Sequence, residues 1–223
     1  MRNLFIPAIA GAMTLAGAAS AETMATAGTD LNLRAGPGVQ HPVTGTIKGG
    51  DQVSVAGCIE SANWCEVTYN DQHGWAYGDY LTAKVGEKIE PLYPNRTEIK
   101  VPVIEYNAPA ATGGNKGQDA AVGGLGGAAM GALIGGPVGA VAGAAIGGAA
   151  GGAADPAPEV RTYIEANPQA PILLDGEVVL GAGVPDTVTL YDIPDQPTYK
   201  YVTINGQPVL VNPDDRKIVY IYR

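Results

Sequence analysis

Apolar and polar positions alternate in two stretches of the chain, and a third stretch between them lacks polar residues almost entirely. The first alternating stretch begins with Asp30-Leu31-Asn32-Leu33-Arg34, the pattern of a half-buried strand. Ala35-Gly36-Pro37-Gly38 breaks it with a turn. Further short runs follow at Pro42 to Ile47, Gln52 to Cys58, Trp64 to Tyr69 and Gly74 to Tyr77. Gly49-Gly50-Asp51, Ser61-Ala62-Asn63 and Asn70-Asp71-Gln72 separate them. Short strands at this spacing predict a small antiparallel barrel over residues 24–84. Its expected core is Leu33, Val43, Ile47, Val53, Val55, Val67 and Leu81.

The second alternating stretch, residues 158–223, predicts a small α+β module. Asp155 is placed to cap a short helix, Pro158 suits its first turn, and Val160, Tyr163 and Ile164 form its apolar face. Asn167-Pro168 ends it. A hairpin is expected from Ile172-Leu173-Leu174, Asp175-Gly176 and Glu177 to Leu180, followed by a run from Val184 to Tyr191. The clearest signal is Tyr199 to Ile204, Asn205-Gly206, Gln207 to Val211, because Asn-Gly between two β-rich runs makes a type I′ turn. With Lys217 to Tyr222 this gives a three-stranded meander. Residues 85–119, with Pro91, Pro94, Pro102 and Pro109, read as a linker holding a short strand within Ile99 to Tyr106.

Residues 120–154 follow neither pattern. No charged residue lies between Asp119 and Asp155, and the segment is built from Gly, Ala and a few larger apolar residues. Glycine recurs every fourth position at Gly123, Gly127, Gly131, Gly135, Gly139, Gly143, Gly147 and Gly151. On a helix these lie in line and leave a groove without side chains, the small-xxx-small mode by which membrane helices approach closely. In water each mid-helix Gly costs about 1 kcal/mol relative to Ala, so an isolated soluble helix of this kind is unstable. Gly135-Gly136-Pro137 reads as a turn between two halves of matching period. We therefore expect a helical hairpin, packed on its glycine face, that inserts in a membrane or oligomerises. A kinked single span and an unstructured tether are the alternatives. The fold class is thus mainly β with a central helical segment.

The first residues add location. Met1-Arg2-Asn3 carries a positive charge, Leu4 to Gly17 is apolar, and Ala19-Ser20-Ala21 fits a small-x-small cleavage site. Residues 1–21 are expected to be a signal peptide, with Glu22 the mature start and the periplasm the destination. In an oxidising compartment Cys58 and Cys65, at the ends of adjacent runs, are expected to form a disulfide. Glu60 and Glu66 flank the pair and argue against a redox-active thiolate.

The run Leu31-Asn32-Leu33-Arg34-Ala35-Gly36-Pro37-Gly38, then Pro42-Val43, Gly45, Val53-Ser54-Val55, Trp64-Cys65-Glu66-Val67, Gly74-Trp75-Ala76 and Tyr80-Leu81, resembles the bacterial SH3-like (SH3b, SH3 type 3) domain. That resemblance implies an SH3-like barrel that binds cell-wall peptide or an envelope protein and has no catalytic role. The glycine ladder resembles glycine-zipper segments of Gram-negative envelope proteins. Val184-Pro185-Asp186-Thr187-Val188, Leu190-Tyr191, Ile204 to Val211 and Arg216-Lys217-Ile218-Val219 resemble domain-of-unknown-function family 1236 of such proteins. This implies an envelope setting and no stated activity. Trp64, Tyr69, Trp75 and Tyr77 are the candidate ligand contacts, set against the plainer expectation that the tryptophans cover a small core.

With 13 Lys+Arg against 22 Asp+Glu and a formal charge of −9, the chain lacks the basic surface nucleic acid requires. Two histidines, His41 and His73, both beside turns, offer no metal cluster and no Ser-His-Asp arrangement. Asp186, Asp192, Asp195, Asp214 and Asp215 mostly occupy turn positions that Asp favours locally, so paired-carboxylate catalysis is not expected. No cofactor is expected. The reading is an exported, non-enzymatic envelope protein, membrane-associated or homo-oligomeric through its glycine face. The alternative is a targeting or regulatory subunit of a peptidoglycan hydrolase system. On this reading the exported protein pellets with membranes and needs detergent for release; recovery of the mature chain in the soluble fraction would count against insertion.

Overall fold

The computed structural model describes residues 22–106, 156–194 and 196–223. The expected signal peptide, the glycine ladder and residues 107–119 of the expected linker lie outside the described residues, as does Asp195.

Turn chemistry and alternation build the N-terminal unit as one curled antiparallel sheet. Its strands are β1 (Thr23–Ala27), β2 (Leu31–Arg34), β3 (Val43–Ile47), β4 (Gln52–Cys58), β5 (Trp64–Tyr69), β6 (Gln72–Tyr77), β7 (Leu81–Val85) and β8 (Lys88–Pro91). They lie in the order β3-β2-β6-β5-β4-β1-β7-β8, with a 3₁₀ turn at Gly78–Tyr80. The tight turn between β5 and β6 sits on Asn70 and Asp71, both at positive φ, a conformation Asn and Asp adopt most readily among residues with side chains. Leu33, Ile47, Val53, Val55, Val67 and Leu81 are buried as expected. Val43 is not: it is 37% exposed, because β3 is the sheet's edge and a bulge shifts its register opposite Leu33/Arg34.

The chain does not leave the barrel at residue 85. β8 pairs with β7, a short helix α1 (Arg96–Ile99) follows, and Leu92, Tyr93 and Val101 are buried. The Tyr93 hydroxyl donates to the carbonyls of Ile59 and Glu60 at 2.9 and 2.6 Å. Cys58 and Val103 form a parallel bridge, so the expected strand within 99–106 is reduced to a single pairing.

The C-terminal unit begins with α2 (Pro158–Ala166), whose Val160 and Ile164 are buried. Its N-cap residue is Ala157, and Pro158 supplies a pre-set backbone at its first turn; Asp155, expected as a cap, lies outside the described residues. A four-stranded sheet follows in the order β12-β11-β10-β9: β9 (Tyr191–Asp192), β10 (Lys200–Ile204), β11 (Gln207–Val211) and β12 (Ile218–Ile221). Asn205 and Gly206 both have positive φ (51° and 80°), as a type I′ turn requires. The hairpin expected over Ile172 to Leu180 does not form. The buried Asn205 side chain takes its backbone instead, accepting from Leu174 N–H at 2.9 Å and donating to the carbonyls of Leu174 and Gly176 at 3.1 Å each. Likewise Arg216 donates to the carbonyls of Val184, Pro185 and Val188, so the 184–190 run stays a loop.

The two units share one apolar core, in which Leu31, Leu33 and Ile47 join Val178, Val179 and Val209. A polar cluster pins the junction. Asn32 and Arg34, two apart on β2, project to the same face. Arg34 meets Glu177 in a two-pronged ion pair, Nε–Oε2 at 2.5 Å and Nη2–Oε1 at 2.7 Å, with side chains 1% and 0% exposed. Asn32 Nδ2 donates to Glu177 Oε1 at 3.0 Å and to Gln207 Oε1 at 2.7 Å. Val178 N–H completes the carboxylate's shell at 2.8 Å.

Two predictions follow from covalent and ionic closure. Cys58 and Cys65 are bonded, with Cα atoms 3.9 Å apart at the β4–β5 hairpin. Reducing the bridge releases a short loop and is expected to lower stability by about 2–3 kcal/mol in a denaturant titration; an unchanged midpoint would show that the bridge does not support the fold. Glu177→Ala strands the buried Arg34 and is expected to cost about 3–5 kcal/mol, whereas the double variant Arg34→Met/Glu177→Leu recovers most of that loss. Equal effects of the single and double variants would contradict this account.

Candidate functional site

A groove of about 650 Å³ opens where the barrel meets the C-terminal unit. One bank is β3, from Val43 to Thr46, with the preceding loop Val39 to Pro42; the other is Pro171, Leu173, the Asn205-Gly206 turn and Gln207, with Arg223 at the end of β12. Val43 and Leu173, 37% and 45% exposed, are the large apolar side chains that the groove leaves uncovered.

The ion pair that joins the units also forms this groove. Arg34 Nη1 donates to the carbonyls of Val39 and His41 at 3.1 and 2.7 Å, which fixes the loop on the barrel bank. Glu177 lies one residue beyond the Asn205-held turn, which fixes the opposite bank. His41 is half-buried with its ring edge-on to Tyr106 (centroids 6.0 Å apart), and Tyr106 in turn meets Trp75 at 5.3 Å. Burial and then the neighbouring Arg34 charge hold the His41 imidazole below its ordinary pKa, so at neutral pH it is an uncharged hydrogen-bonding group.

Lys48 and Arg223 share the Asp30 carboxylate beside the groove. Arg223 Nη1 lies 3.7 Å from Asp30 Oδ2, and its Nη2 donates to the Asp30 carbonyl at 3.2 Å. Burial raises the Asp30 carboxyl, but the Gly49 N–H, Lys48 and Arg223 outweigh it and leave the group below its ordinary value. Burial, then Asp79 and Glu177, push the Tyr80 hydroxyl up to about 12. The lining therefore offers amides, hydroxyls, backbone and apolar surface, with its two guanidiniums already matched by carboxylates. Among the described residues no group of His, Cys, Asp and Glu side chains could hold a metal ion. Asp186 and Asp192 are exposed partners of Arg216 and Lys200, and Asp215 lies beside Lys217.

The expected aromatic contacts do not converge here. Trp64 is 5% exposed and packs edge-on to Tyr77, with ring centroids 5.4 Å apart. Trp75 is 7% exposed under Tyr106. Both tryptophans serve the core. Tyr69 donates to Asp51 at 2.5 Å on the outer surface, and Tyr77 is half-buried beside Tyr80. His73 is exposed next to Thr68. The residues that sequence reasoning missed are Arg34, Glu177, Gln207, Val43 and Leu173. Asn32 and Arg34 stood in the most specific run of the barrel, but their partners lie more than 140 residues away.

Comparison with known proteins fits this division. Residues 29–82 match the model for the bacterial SH3 domain, and residues 163–223 match that for a domain of unknown function, DUF1236. The chain is 39% identical over 84 residues to a probable endopeptidase p60 of Listeria monocytogenes, covering 37% of this chain and 17% of that protein. It is 47% identical over 57 residues to the probable endopeptidase p60 of Listeria innocua (25% of this chain, 12% of that protein). It is 31% identical over 64 residues to a putative N-acetylmuramoyl-L-alanine amidase of Bacillus subtilis (29% of this chain, 12% of that protein). The chain thus spans less than a fifth of the length of these relatives, and the matches cover the SH3 region alone. The two units that meet on the Arg34–Glu177 pair are a bacterial SH3 domain and a DUF1236 domain.

Proposed function

We propose that this is an exported, non-enzymatic cell-envelope protein that holds a peptidic ligand, from the wall or from an envelope protein, in the groove between its two domains. The observation that carries this reading is that a site-sized groove is lined by both matched domains and offers hydrogen-bonding and apolar groups. Among the described residues its lining has no paired carboxylates in contrasting environments, which acid–base chemistry needs. The SH3 match and relatives named endopeptidase and amidase support a cell-wall setting. The disulfide agrees with export to an oxidising compartment. The glycine ladder, in this proposal, associates the protein with membrane or with further copies of itself.

A second reading draws on the relatives' names: the chain serves as a targeting or regulatory subunit of a peptidoglycan hydrolase system. Where the wall itself supplies the ligand, the mature protein co-sediments with purified sacculi and Leu173→Asp in the groove weakens that retention. In zymography, no clearing by the pure protein is expected. Clearing would contradict the non-enzymatic proposal, and failure to co-sediment would remove the wall itself as the ligand's source.

A further inference from the structure

Two backbone edges face the groove from opposite banks. On the barrel side β3 ends its sheet, and an edge strand leaves one row of N–H and C=O groups without ladder partners. On the other side Ile172 spends both of its backbone groups on β10 and the turn after it. Its N–H donates to the Thr203 carbonyl and its carbonyl accepts from Asn205 N–H, each at 2.9 Å. Successive residues of an extended segment direct these groups to opposite sides. Leu173 therefore turns its N–H and C=O away from β10, toward the groove that it lines with Pro171. Among the described residues the Leu173 N–H has no hydrogen-bond partner.

The side chains agree with a strand as occupant. Val43 and Leu173 offer apolar contacts on the two banks, and Thr44 and Thr46 offer polar ones. Each nitrogen of Arg34 donates to Glu177 or to the carbonyls of Val39 and His41, and Arg223 reaches Asn32 and the Asp30 carbonyl. A peptide main chain thus finds donors and acceptors on both sides. The five residues of β3 would pair with a segment about 17 Å long. Regular pairing on two edges requires side chains that alternate cleanly between faces, which a run of L-residues supplies. A wall-type peptide that mixes L and D residues does not keep that alternation.

We propose that the groove takes an extended L-peptide segment of a partner protein, which adds as a strand between β3 and Leu173 and links the two sheets. This deepens, and rests on, the reading of the groove as a peptide site.

The test uses the full mature chain, a displayed library of random L-heptapeptides, and mixed L/D peptides released from sacculi. An enriched L-peptide should shift the amide resonances of Val43 to Thr46 and of Leu173. A copy methylated on every second backbone nitrogen should bind about tenfold more weakly or worse, the loss of one or more hydrogen bonds. Equal binding of the methylated copy would overturn strand addition and leave the groove as a peptide site. Perturbation of the same amides by the sacculus peptides, with no L-peptide enriched, would overturn the protein partner in favour of the wall. No perturbation by either probe would remove the groove reading altogether.

Discussion

A guanidinium and a carboxylate taken entirely out of water hold the molecule's two domains in register. Desolvating such a pair is costly, and its mutual attraction offsets that cost only when geometry is good and the remaining donors and acceptors are used. Here both conditions are met. Arg34 and Glu177 meet in parallel, Asn32 and the Val178 N–H fill the carboxylate's other positions, and Val39 and His41 carbonyls take the remaining guanidinium nitrogen. Apolar surface would hold two domains together in many orientations. A fork of hydrogen bonds permits few, and the groove inherits its shape from that selectivity.

The Asn205-Gly206 turn illustrates how one local feature serves two levels of structure. Its backbone closes the β10–β11 hairpin with the handedness that adjoining strands need. Its buried amide then captures the chain from Leu174 to Gly176, which carries Glu177 to Arg34 and leaves Leu173 on the open side. Arg216 does comparable work on the loop at Val184 to Val188.

Local periodicity made much of the fold legible before any coordinates. Barrel strands β2 to β6, the β10–β11–β12 meander, α2 with Val160 and Ile164 inward, and the Cys58–Cys65 bridge follow from alternation, turn residues or compartment, whereas β1, β7 and β8 are not among the predicted strands. Structure diverged wherever a distant side chain claimed the backbone. The Ile172 to Leu180 hairpin yielded to Asn205, and residues 85–106 are held on the barrel by Tyr93 and the Cys58 pairing rather than released as linker. The groove was invisible for the same reason. Val43 read as core because alternation reports which face a residue takes, not whether another strand lies beyond it. Aromatic richness pointed to Trp64 and Trp75, which a small barrel consumes in closing itself.

Docking also changes what the intervening stretch connects. Tyr106, edge-on to Trp75, and Pro156, just before α2, are the flanks of residues 107–155, and both belong to one joined body. While the domains stay joined, those flanks occupy the same compartment. A carboxylate and a guanidinium thus tether two points that lie far apart along the chain.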